Sequence, residues 1–266
     1  EAMRHAYHDR AQSLGDTDFV EVPVRQLISE KHANHKRGWI KAGEATPSAN
    51  FPLVTATDSK GEDTTHFSIL DQQGNRVAAT LSINYLFGSG FVVPHTGVLL
   101  NDEMDDFSAK PGVPNAYGLV GSQANAIAPG KRPLSSMSPT FIENNQRVAI
   151  LGTPGGSRII SMVLLGALEF MQGGDAAAVV KRPRFHHQYL PDRIQFELAA
   201  ISDDVRDRLK QMGYQFTQRA SSDGTPNPPY GNMQAVIWER NKQRVEAASD
   251  PRGFGASQVI PVRDEQ

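Results

Sequence analysis

The sequence predicts an α+β fold in which an antiparallel sheet is covered by helices. Strand-like runs that alternate apolar and polar residues come in pairs joined by short polar turns, and a long, mostly apolar helical segment follows one of these pairs. Such pairs favour antiparallel strands, because a parallel pair needs a longer crossover connection. The 266 residues are 39% hydrophobic and 21% charged, which is typical of a globular chain with a full core.

Charge and cysteine content exclude several classes of function. The formal net charge is −2 at pH 7, which leaves no basic field for nucleic acid or an anionic membrane surface. The absence of cysteine excludes disulfides, thiolate metal ligands and a cysteine nucleophile. The longest apolar run, residues 159–171, contains Ser161 and Glu169 and is shorter than the roughly 18 residues that cross a bilayer. The chain begins with residues 1–3 (EAM) and no signal peptide, so we expect its natural start to lie upstream.

Residues 1–63 are predicted to form two helices and a linker. The first helix covers residues 1–14, where apolar residues recur at helical spacing, and Gly15 ends it. A second, more polar helix is predicted over residues 24–40. Residues 41–63 lose this periodicity and collect Gly, Ala, Pro, Ser, Thr and Asp, which predicts a mobile linker that is accessible to cleavage.

From Thr64 onwards, the pattern changes to hairpins and buried helices. The predicted strands are 66–71, 76–84, 140–143, 147–152, 193–197, 233–240 and 244–248, and the predicted helices are 156–172, 175–181 and 203–212. Polar turns at 72–75 and 144–146 join the first two strand pairs into hairpins.

Thr64, where the linker meets a strand, is the first candidate for chemistry. A threonine inside a chain is a poor nucleophile without a base beside it. Cleavage of the Asp63–Thr64 bond would give Thr64 a free α-amine with a pKa near roughly 7.7–8.0. One residue would then carry both nucleophile and base, as in N-terminal-nucleophile hydrolases. Taken alone, the pair Thr64-Thr65 is also explained by the β-propensity of threonine.

The second candidate is an acidic cluster, residues 101–107 (NDEMDDF), directly after the apolar residues 98–100. Acidic clusters are usually solvated loops or sites for hard cations. Because the apolar stretch predicts a strand end here, some of these carboxylates could instead accept hydrogen bonds from the ammonium group of an amino acid.

The third candidate is a pair of glycines that opens the long apolar helix, in residues 151–158 (LGTPGGSR), together with the preceding residues 132–139 (RPLSSMSP). Unpaired N–H groups at such a helix start suit an oxyanion hole or a cradle for carboxylate or phosphate. A tight turn before a helix explains the same glycines equally well.

The histidines are not expected to form a metal site. His5 and His8, and likewise His32 and His35, have a spacing compatible with metal ligation, but no third ligand is evident and we expect them to face solvent. The consecutive pair at 186–187 points to opposite sides, and a buried hydrogen-bonding role is expected there.

In this order, the candidate stretches resemble the γ-glutamyltranspeptidase family of N-terminal-nucleophile hydrolases. The matching segments are residues 64–68 (TTHFS), 101–121 (NDEMDDFSAKPGVPNAYGLVG), 131–140 (KRPLSSMSPT), 153–160 (TPGGSRII), 183–188 (PRFHHQ) and 249–252 (SDPR). The resemblance covers nearly the whole chain and implies a four-layer αββα sandwich of N-terminal-nucleophile hydrolase type, incomplete at its N-terminal side. It implies that residues 64–266 are the catalytic small subunit, and that residues 1–63 are the C-terminal end of a large subunit with its linker.

The resemblance also implies an activity. A zymogen would cleave itself between Asp63 and Thr64, and Thr64 would then form an acyl-enzyme with the γ-glutamyl group of glutathione or a related γ-glutamyl amide. Water, an amino acid or a dipeptide would accept that group. The implied enzyme is a γ-glutamyltransferase and glutathione hydrolase that needs no cofactor and no metal, binds no nucleic acid and does not insert into a membrane. Its implied partner is the remainder of the large subunit, and its implied location is the periplasm or the exterior.

Position by position, the resemblance assigns roles to individual residues. The catalytic residues are Thr64, Ser82, Gly155 and Gly156, and the substrate-binding residues are Asn84, Glu103, Asp106, Ser135, Ser136 and Tyr117. Ser82 replaces the usual threonine, so the hydroxyl remains but the methyl group is lost. Glu103 replaces the glutamine of some bacterial members, and Tyr117 lies at the centre of a lid loop, residues 110–121. The large-subunit arginine that clamps the substrate carboxylate has no assigned counterpart in residues 1–63.

Two alternatives stay open at this point. The missing arginine and the change at Ser82 are compatible with a non-catalytic fragment that binds a glutamyl group or an amino acid. A related acylase that acts on β-lactam side chains would keep the chemistry and change the acyl group. Retention of Asn84 and Asp106 favours a glutamyl head, because that head brings an ammonium group.

Overall fold

The computed structural model of the chain describes residues 1–51, 64–108, 110, 112, 121–217 and 230–261. The chain divides into two compact units. The first unit comprises Glu1–Gly61, Gly88–Ser135 and Phe185–Asn227, and the second comprises Glu62–Phe87, Ser136–Arg184 and Pro228–Gln266.

The described helices and strands follow the predicted order. The helices are α1 (Ala2–Ser13), α2 (Val24–Leu27), α3 (Glu30–Arg37), α4 (Ile159–Met171), α5 (Ala176–Lys181) and α6 (Asp203–Gln211). The strands are β1 (Thr64–Leu70), β2 (Arg76–Ser82), β3 (Thr140–Glu143), β4 (Arg147–Gly152), β5 (Phe185–His186), β6 (Ile194–Phe196), β7 (Phe216–Thr217), β8 (Gln234–Glu239) and β9 (Arg244–Ser249). Both predicted hairpins are confirmed, while the two-residue strands β5 and β7 were not predicted. None of these helices is long and apolar enough to cross a membrane.

The second unit is built from three stacked layers. Its central layer is an antiparallel sheet in the order β3-β4-β8-β9, and alternation along each strand sends successive side chains to opposite faces. One face packs on α4 and α5, and the buried residues of that contact include Ala149, Leu151, Ile159, Met162, Val179 and Ile237. The other face packs on the β1–β2 hairpin, and that contact includes Val148, Ile150, Val236, Leu70 and Ala78. The predicted antiparallel sheet with covering helices is therefore confirmed.

The hairpin presents a second, apolar face away from the four-stranded sheet. Phe67, Ile69, Val77 and Leu81 lie on this outer face, and each is between 42% and 53% exposed. Opposed pairs such as Ile69 and Val77 form a continuous apolar strip across the two strands. Among the residues that the structure describes, the second unit thus supplies a ββα stack, and the outer face is where a fourth layer of an αββα sandwich would lie.

A buried ion pair holds the end of α5 to the end of β9. Arg184 is 2% exposed and its Nη2 atom lies 2.5 Å from Oδ2 of Asp250, which is equally buried. Arg184 also donates to the carbonyl groups of Tyr230 and Val180, and Asp250 accepts the backbone N–H of Met233 at 2.9 Å. Two of the family-like segments, 183–188 and 249–252, therefore meet in a structural contact.

In the first unit, α1 packs on aromatic side chains, and the prediction that His5 and His8 face solvent is wrong. Both residues are less than a tenth exposed. The Phe51 ring stacks against both, at centroid distances of 5.2 and 4.7 Å, and Tyr189 contacts His8. Because Phe51 comes from a segment far along the chain, the helix pattern alone could not reveal this burial.

The predicted helix over residues 24–40 is two helices, α2 and α3, separated at Ser29. The Ser29 hydroxyl donates to the Gln26 carbonyl at 2.7 Å and accepts the His32 N–H at 3.1 Å, so it ends one helix and caps the next. Of the predicted linker, residues 41–63, the part 52–63 lies outside the described residues. In the described part, Ser48 and Phe51 are buried, and the Ser48 N–H donates to Oδ2 of Asp192 at 2.6 Å.

The consecutive histidines near β5 are buried and hydrogen-bonded, as predicted. His186 is 2% exposed and its Nε2 atom lies 2.9 Å from Oε1 of Gln188. His187 is 6% exposed and accepts the backbone N–H of Tyr189 through Nδ1 at 3.0 Å. Both belong to the first unit, where β5 pairs antiparallel with β6 and β6 pairs parallel with β7.

Replacing Arg184 with methionine should lower the free energy of unfolding by about 3 kcal/mol, because Oδ2 of the buried Asp250 carboxylate would lose its charged partner while Oδ1 keeps Arg252 at 3.1 Å. Chemical denaturation monitored by circular dichroism measures this change. Arg244→Met is the matched control: Arg244 is 53% exposed in its ion pairs with Glu239 and Glu246, so the loss should stay below about 1 kcal/mol. Equal losses in the two variants would contradict the assignment of Arg184 as a buried structural anchor.

Candidate active site

The Thr64 hydroxyl is held at one end of the β1–β2 hairpin. Thr64 is the first residue of β1 and lies directly opposite Ser82, the last residue of β2. Its Oγ1 atom donates a hydrogen bond to Oγ of Ser82 at 3.0 Å. The same Ser82 oxygen accepts the backbone N–H of Asn84 at 2.8 Å, so the turn after β2 fixes the partner of the Thr64 hydroxyl.

Asn84 lies in the turn that follows β2. It is 3% exposed and has a φ of 71°, in the left-handed region that asparagine tolerates better than most residues. A buried asparagine in this conformation is held by its surroundings, which places its backbone N–H at a defined position against Ser82.

A polar layer continues along the inner face of the hairpin. His66 is 5% exposed, and its Nδ1 and Nε2 atoms lie 2.7 Å from Thr80 Oγ1 and 3.1 Å from Ser68 Oγ. Burial lowers the pKa of His66 to about 4, so the imidazole is neutral at pH 7. A Cβ atom on Gly152 would overlap this ring, so only glycine allows β1 to lie so close to the end of β4.

The paired glycines lie between β4 and α4. Gly155 has a φ of 142° and Gly156 a φ of 56°, and a Cβ atom on Gly155 would overlap the Met162 side chain. Residues 156–158 form a 3₁₀ turn that leads into α4. The first N–H groups of such a turn have no partner within the helix, so they can bind a negatively charged oxygen.

The acidic cluster forms a 3₁₀ turn in the first unit, Glu103–Asp106. Burial and the negative charge of Glu103 raise the pKa of Asp106 to about 7, while the charge of Arg10 on α1 opposes this shift. The Oε1 atom of Glu103 is buried and has no hydrogen-bond partner within the described part of the chain. Two close carboxyl groups with an unused buried acceptor are suited to a cationic ligand.

The remaining predicted site residues lie in extended or undescribed segments. Ser135 is the last residue of the segment Gly88–Ser135 in the first unit. Ser136 is the first residue of the segment Ser136–Arg184 in the second unit. The Ser136 carbonyl accepts the Ser138 hydroxyl at 3.0 Å. Tyr117 and most of the predicted lid lie outside the described residues.

Two residues near these groups were missed by the sequence analysis. His66 could have been found, because strand alternation places it on the same face as Thr64, two residues away. Arg10 could not, because its proximity to Asp106 depends on how α1 packs in the first unit.

Sequence comparison places the chain among known enzymes. The model of a family described as gamma-glutamyltranspeptidase matches residues 1–260. The glutathione hydrolase proenzyme of Escherichia coli (strain K12) is 43% identical over 254 residues, covering 95% of this chain and 42% of that protein. The glutathione hydrolase proenzyme of Pseudomonas aeruginosa is 42% identical over 267 aligned positions, covering 98% of this chain and 45% of that protein. The chain thus spans less than half of the length of these curated relatives.

Solved structures give the same likeness. The gamma-glutamyltranspeptidase from Pseudomonas nitroreducens complexed with L-DON is 46% identical with a TM-score of 0.66, covering 74% of this chain and 100% of the matched chain. Cephalosporin acylase from Bacillus halodurans has a TM-score of 0.77 over 99% of this chain and 44% of its own. At 22% identity, the acylase is similar in fold alone. These likenesses confirm the predicted fold class.

Replacing Asp106 with asparagine should stabilise the protein more at high pH than at low pH. With a folded-state pKa of about 7, Asp106 keeps its proton in the folded chain between about pH 4 and pH 7 while the unfolded chain releases it, so wild-type stability falls as pH rises through this window. Asparagine cannot ionise, so the variant lacks this loss. Urea denaturation should show an advantage for Asp106→Asn that is larger at about pH 8 than at about pH 4 by at least about 1 kcal/mol. A difference that does not change with pH would contradict the assigned environment of Asp106.

Proposed function

This chain belongs to the γ-glutamyltranspeptidase family, and on that premise we propose that it is the catalytic part of a glutathione hydrolase and γ-glutamyltransferase. The observation that carries the proposal is the Thr64 hydroxyl, held by Ser82 at the start of β1 in the same unit as the Gly155–Gly156 turn. Residues 64–266 are the small subunit in this proposal, and residues 1–63 are the C-terminal end of the large subunit with its linker.

Thr64 is activated when the precursor cleaves itself. Its hydroxyl oxygen attacks the carbonyl carbon of Asp63, the peptide C–N bond breaks, and water then hydrolyses the resulting ester to leave an Asp63 carboxylate and a free Thr64 amine. The word proenzyme in the names of the curated relatives supports this step. A solved structure also supports it. The matched chain of the Pseudomonas nitroreducens enzyme is covered completely by only 74% of the present chain, as expected if that enzyme consists of separate polypeptides.

The free amine then serves as the base during turnover. It accepts the hydroxyl proton as Oγ1 attacks the γ-carbonyl carbon of the donor, and it returns that proton to the departing amine. The oxygen of the tetrahedral intermediate becomes negatively charged, and the N–H groups of Gly155 and Gly156 stabilise it. Loss of one such donor typically raises the barrier by about 3–4 kcal/mol. Water or an amino acceptor attacks the glutamyl ester in the second half of the cycle.

The head of the donor is recognised by charge. A γ-glutamyl group ends in an α-ammonium and an α-carboxylate, and the carboxyl groups of Glu103 and Asp106 pair with the ammonium. Asn84 contributes to the same head group. Ser135 and Ser136 donate hydroxyl hydrogen bonds to the α-carboxylate, and Tyr117 gates the site from the lid.

The remainder of the large subunit is the partner of this chain in the proposal. The chain covers 42% of one curated relative and 45% of another, and the outer face of the β1–β2 hairpin carries exposed Phe67, Ile69 and Leu81. An apolar strip of this kind favours burial under a further layer. The partner region also supplies the arginine that clamps the α-carboxylate. The proposed location, the periplasm or the exterior, rests on the family resemblance.

The acylase and binding-fragment alternatives have weaker support. The similarity to cephalosporin acylase, at 22% identity, is one of fold alone and identifies no acyl group. Ser82 keeps the hydrogen bond to Thr64 despite the lost methyl group, so this substitution does not argue for a binding module without chemistry.

Replacing Thr64 should show how much its hydroxyl group contributes to self-cleavage and to turnover. Thr64→Ala has no hydroxyl and should lose both self-cleavage and turnover, whereas Thr64→Ser keeps the hydroxyl and should retain part of each. N-terminal sequencing of the small subunit and release of glutamate from glutathione measure the two steps in the intact protein. Cleavage or turnover by the alanine variant at the wild-type rate would contradict the proposal, as would glutamate binding without any acyl-enzyme in the wild type.

Replacing Ser82 should change the rate more than the affinity. Ser82→Ala removes the acceptor of the Thr64 hydroxyl, and loss of one such hydrogen bond, about 1 kcal/mol, should lower kcat several-fold with little change in KM. Ser82→Thr restores the hydroxyl and the usual family residue, and should match or exceed the wild-type rate. Equal kcat values in all three proteins would show that this hydrogen bond does not position the nucleophile.

A further inference from the structure

We propose that Asn125 is a positioning residue that fixes the distance between the two halves of the site for the amino-acid head of the donor. One half is the acidic turn Glu103–Asp106, and the other is the segment that carries Ser135. The inference rests on the function proposed above and deepens it, because it identifies what holds these two segments in register.

The side chain of Asn125 bridges the backbones of the two segments. Asn125 is 5% exposed and ends a 3₁₀ turn, Gln123–Asn125. Its Nδ2 atom donates to the carbonyl oxygen of Asp106 at 2.7 Å, and its Oδ1 atom accepts the backbone N–H of Leu134 at 3.0 Å. One amide group therefore joins the last residue of the acidic turn to the residue directly before Ser135, all within the first unit.

The backbone of Asn125 is itself anchored. Its carbonyl oxygen accepts the N–H of Ser108 at 2.9 Å, and its own N–H donates to Ser122 at 3.2 Å. Ser122 in turn is bound to the end of α1, where its hydroxyl donates to the Gln12 carbonyl at 2.9 Å and its N–H donates to the Ala11 carbonyl at 3.1 Å. Asn125 is thus anchored to α1 through Ser122, independently of the acidic turn and of the segment that carries Ser135.

The substrate explains why such a bridge is needed. The α-ammonium and the α-carboxylate of an amino acid are attached to one carbon atom, so the groups that bind them must keep a fixed separation. Binding groups lose most of their effect when they are displaced by about 1 Å. Because Asn125 ties Asp106 to Leu134, its loss should let the carboxyl group of Asp106 and the hydroxyl of Ser135 move independently.

The chemistry of the bridge restricts which residues can form it. The position requires one donor, for the Asp106 carbonyl, and one acceptor, for the Leu134 N–H. An amide provides both at once, an ionised carboxylate provides only the acceptor, and alanine provides neither. Asn125→Asp therefore keeps the size of the side chain, replaces the donor with an acceptor and adds a negative charge, whereas Asn125→Ala removes both hydrogen bonds without adding a charge.

Kinetics of Asn125→Asp and Asn125→Ala in the intact protein test the inference. We expect KM for a γ-glutamyl amide to rise about tenfold or more while kcat falls less than about threefold. Self-cleavage before Thr64 should stay complete, because that reaction does not use the head site. Preference for the γ-glutamyl donor over a glutaryl donor without the α-ammonium should fall in parallel with the rise in KM.

Asn144→Ala is the matched control. The Oδ1 atom of Asn144 accepts the N–H groups of Gln146 and Arg147 at 2.9 and 2.8 Å in the turn between β3 and β4, in the second unit. This variant also loses a side-chain bridge to the backbone, yet it should keep the wild-type KM and donor preference.

Each other outcome overturns a specific statement. An unchanged KM and donor preference in both Asn125 variants would overturn the positioning role. So would loss of folding or of self-cleavage in both variants, because Asn125 would then be a structural residue only. A wild-type protein that includes the remainder of the large subunit and is still inert towards the γ-glutamyl amide would overturn the proposed function, and this inference with it. The wild-type assay alone therefore distinguishes the two failures.

Discussion

The antiparallel register of β1 and β2 is the constraint on which the candidate active site depends. This register places Thr64 opposite Ser82 and His66 opposite Thr80, so their polar groups share the inner face of the hairpin. A slip of one residue would turn Thr65 inward and move the Thr64 hydroxyl to the exposed face. Packing of the hairpin on the four-stranded sheet opposes such a slip, because Leu70 and Ala78 are held in the core and the His66 ring fits only over Gly152.

The polar groups of the candidate site lie in buried environments that lower the stability of the fold. A neutral imidazole and several hydroxyl groups occupy an interface between two sheets that would otherwise be apolar, and hydrogen bonds among them offset the loss of water. In the first unit, burial and the negative charge of Glu103 both oppose ionisation of Asp106 and raise its pKa. A ligand with an ammonium group would relieve this repulsion, which is why binding and stability oppose each other at this turn.

Local sequence patterns predicted most of the helices and strands. The burial and the hydrogen bonds of individual side chains depend on packing between distant segments, which these patterns do not show. Strand alternation and polar turns were sufficient for both hairpins, and the apolar run 159–171 was sufficient for α4. The burial of His5 depends on Phe51, which no periodicity within α1 can reveal. The same holds for Asn125, whose partners Asp106 and Leu134 are backbone groups on separate segments and leave no mark in the spacing of side chains. The roles of the site residues were implied by the family resemblance and not by any pattern within the chain.

In the proposed mechanism, one hydroxyl, made N-terminal by cleavage, carries the acyl group. Acid quenching of the intact protein during turnover of a γ-glutamyl amide, followed by peptide mass spectrometry, tests this step. We expect a single modified peptide that begins at Thr64 and carries one γ-glutamyl group as an ester. A glutamyl group on any other residue, or turnover by a chain in which Asp63 and Thr64 remain joined, would contradict it.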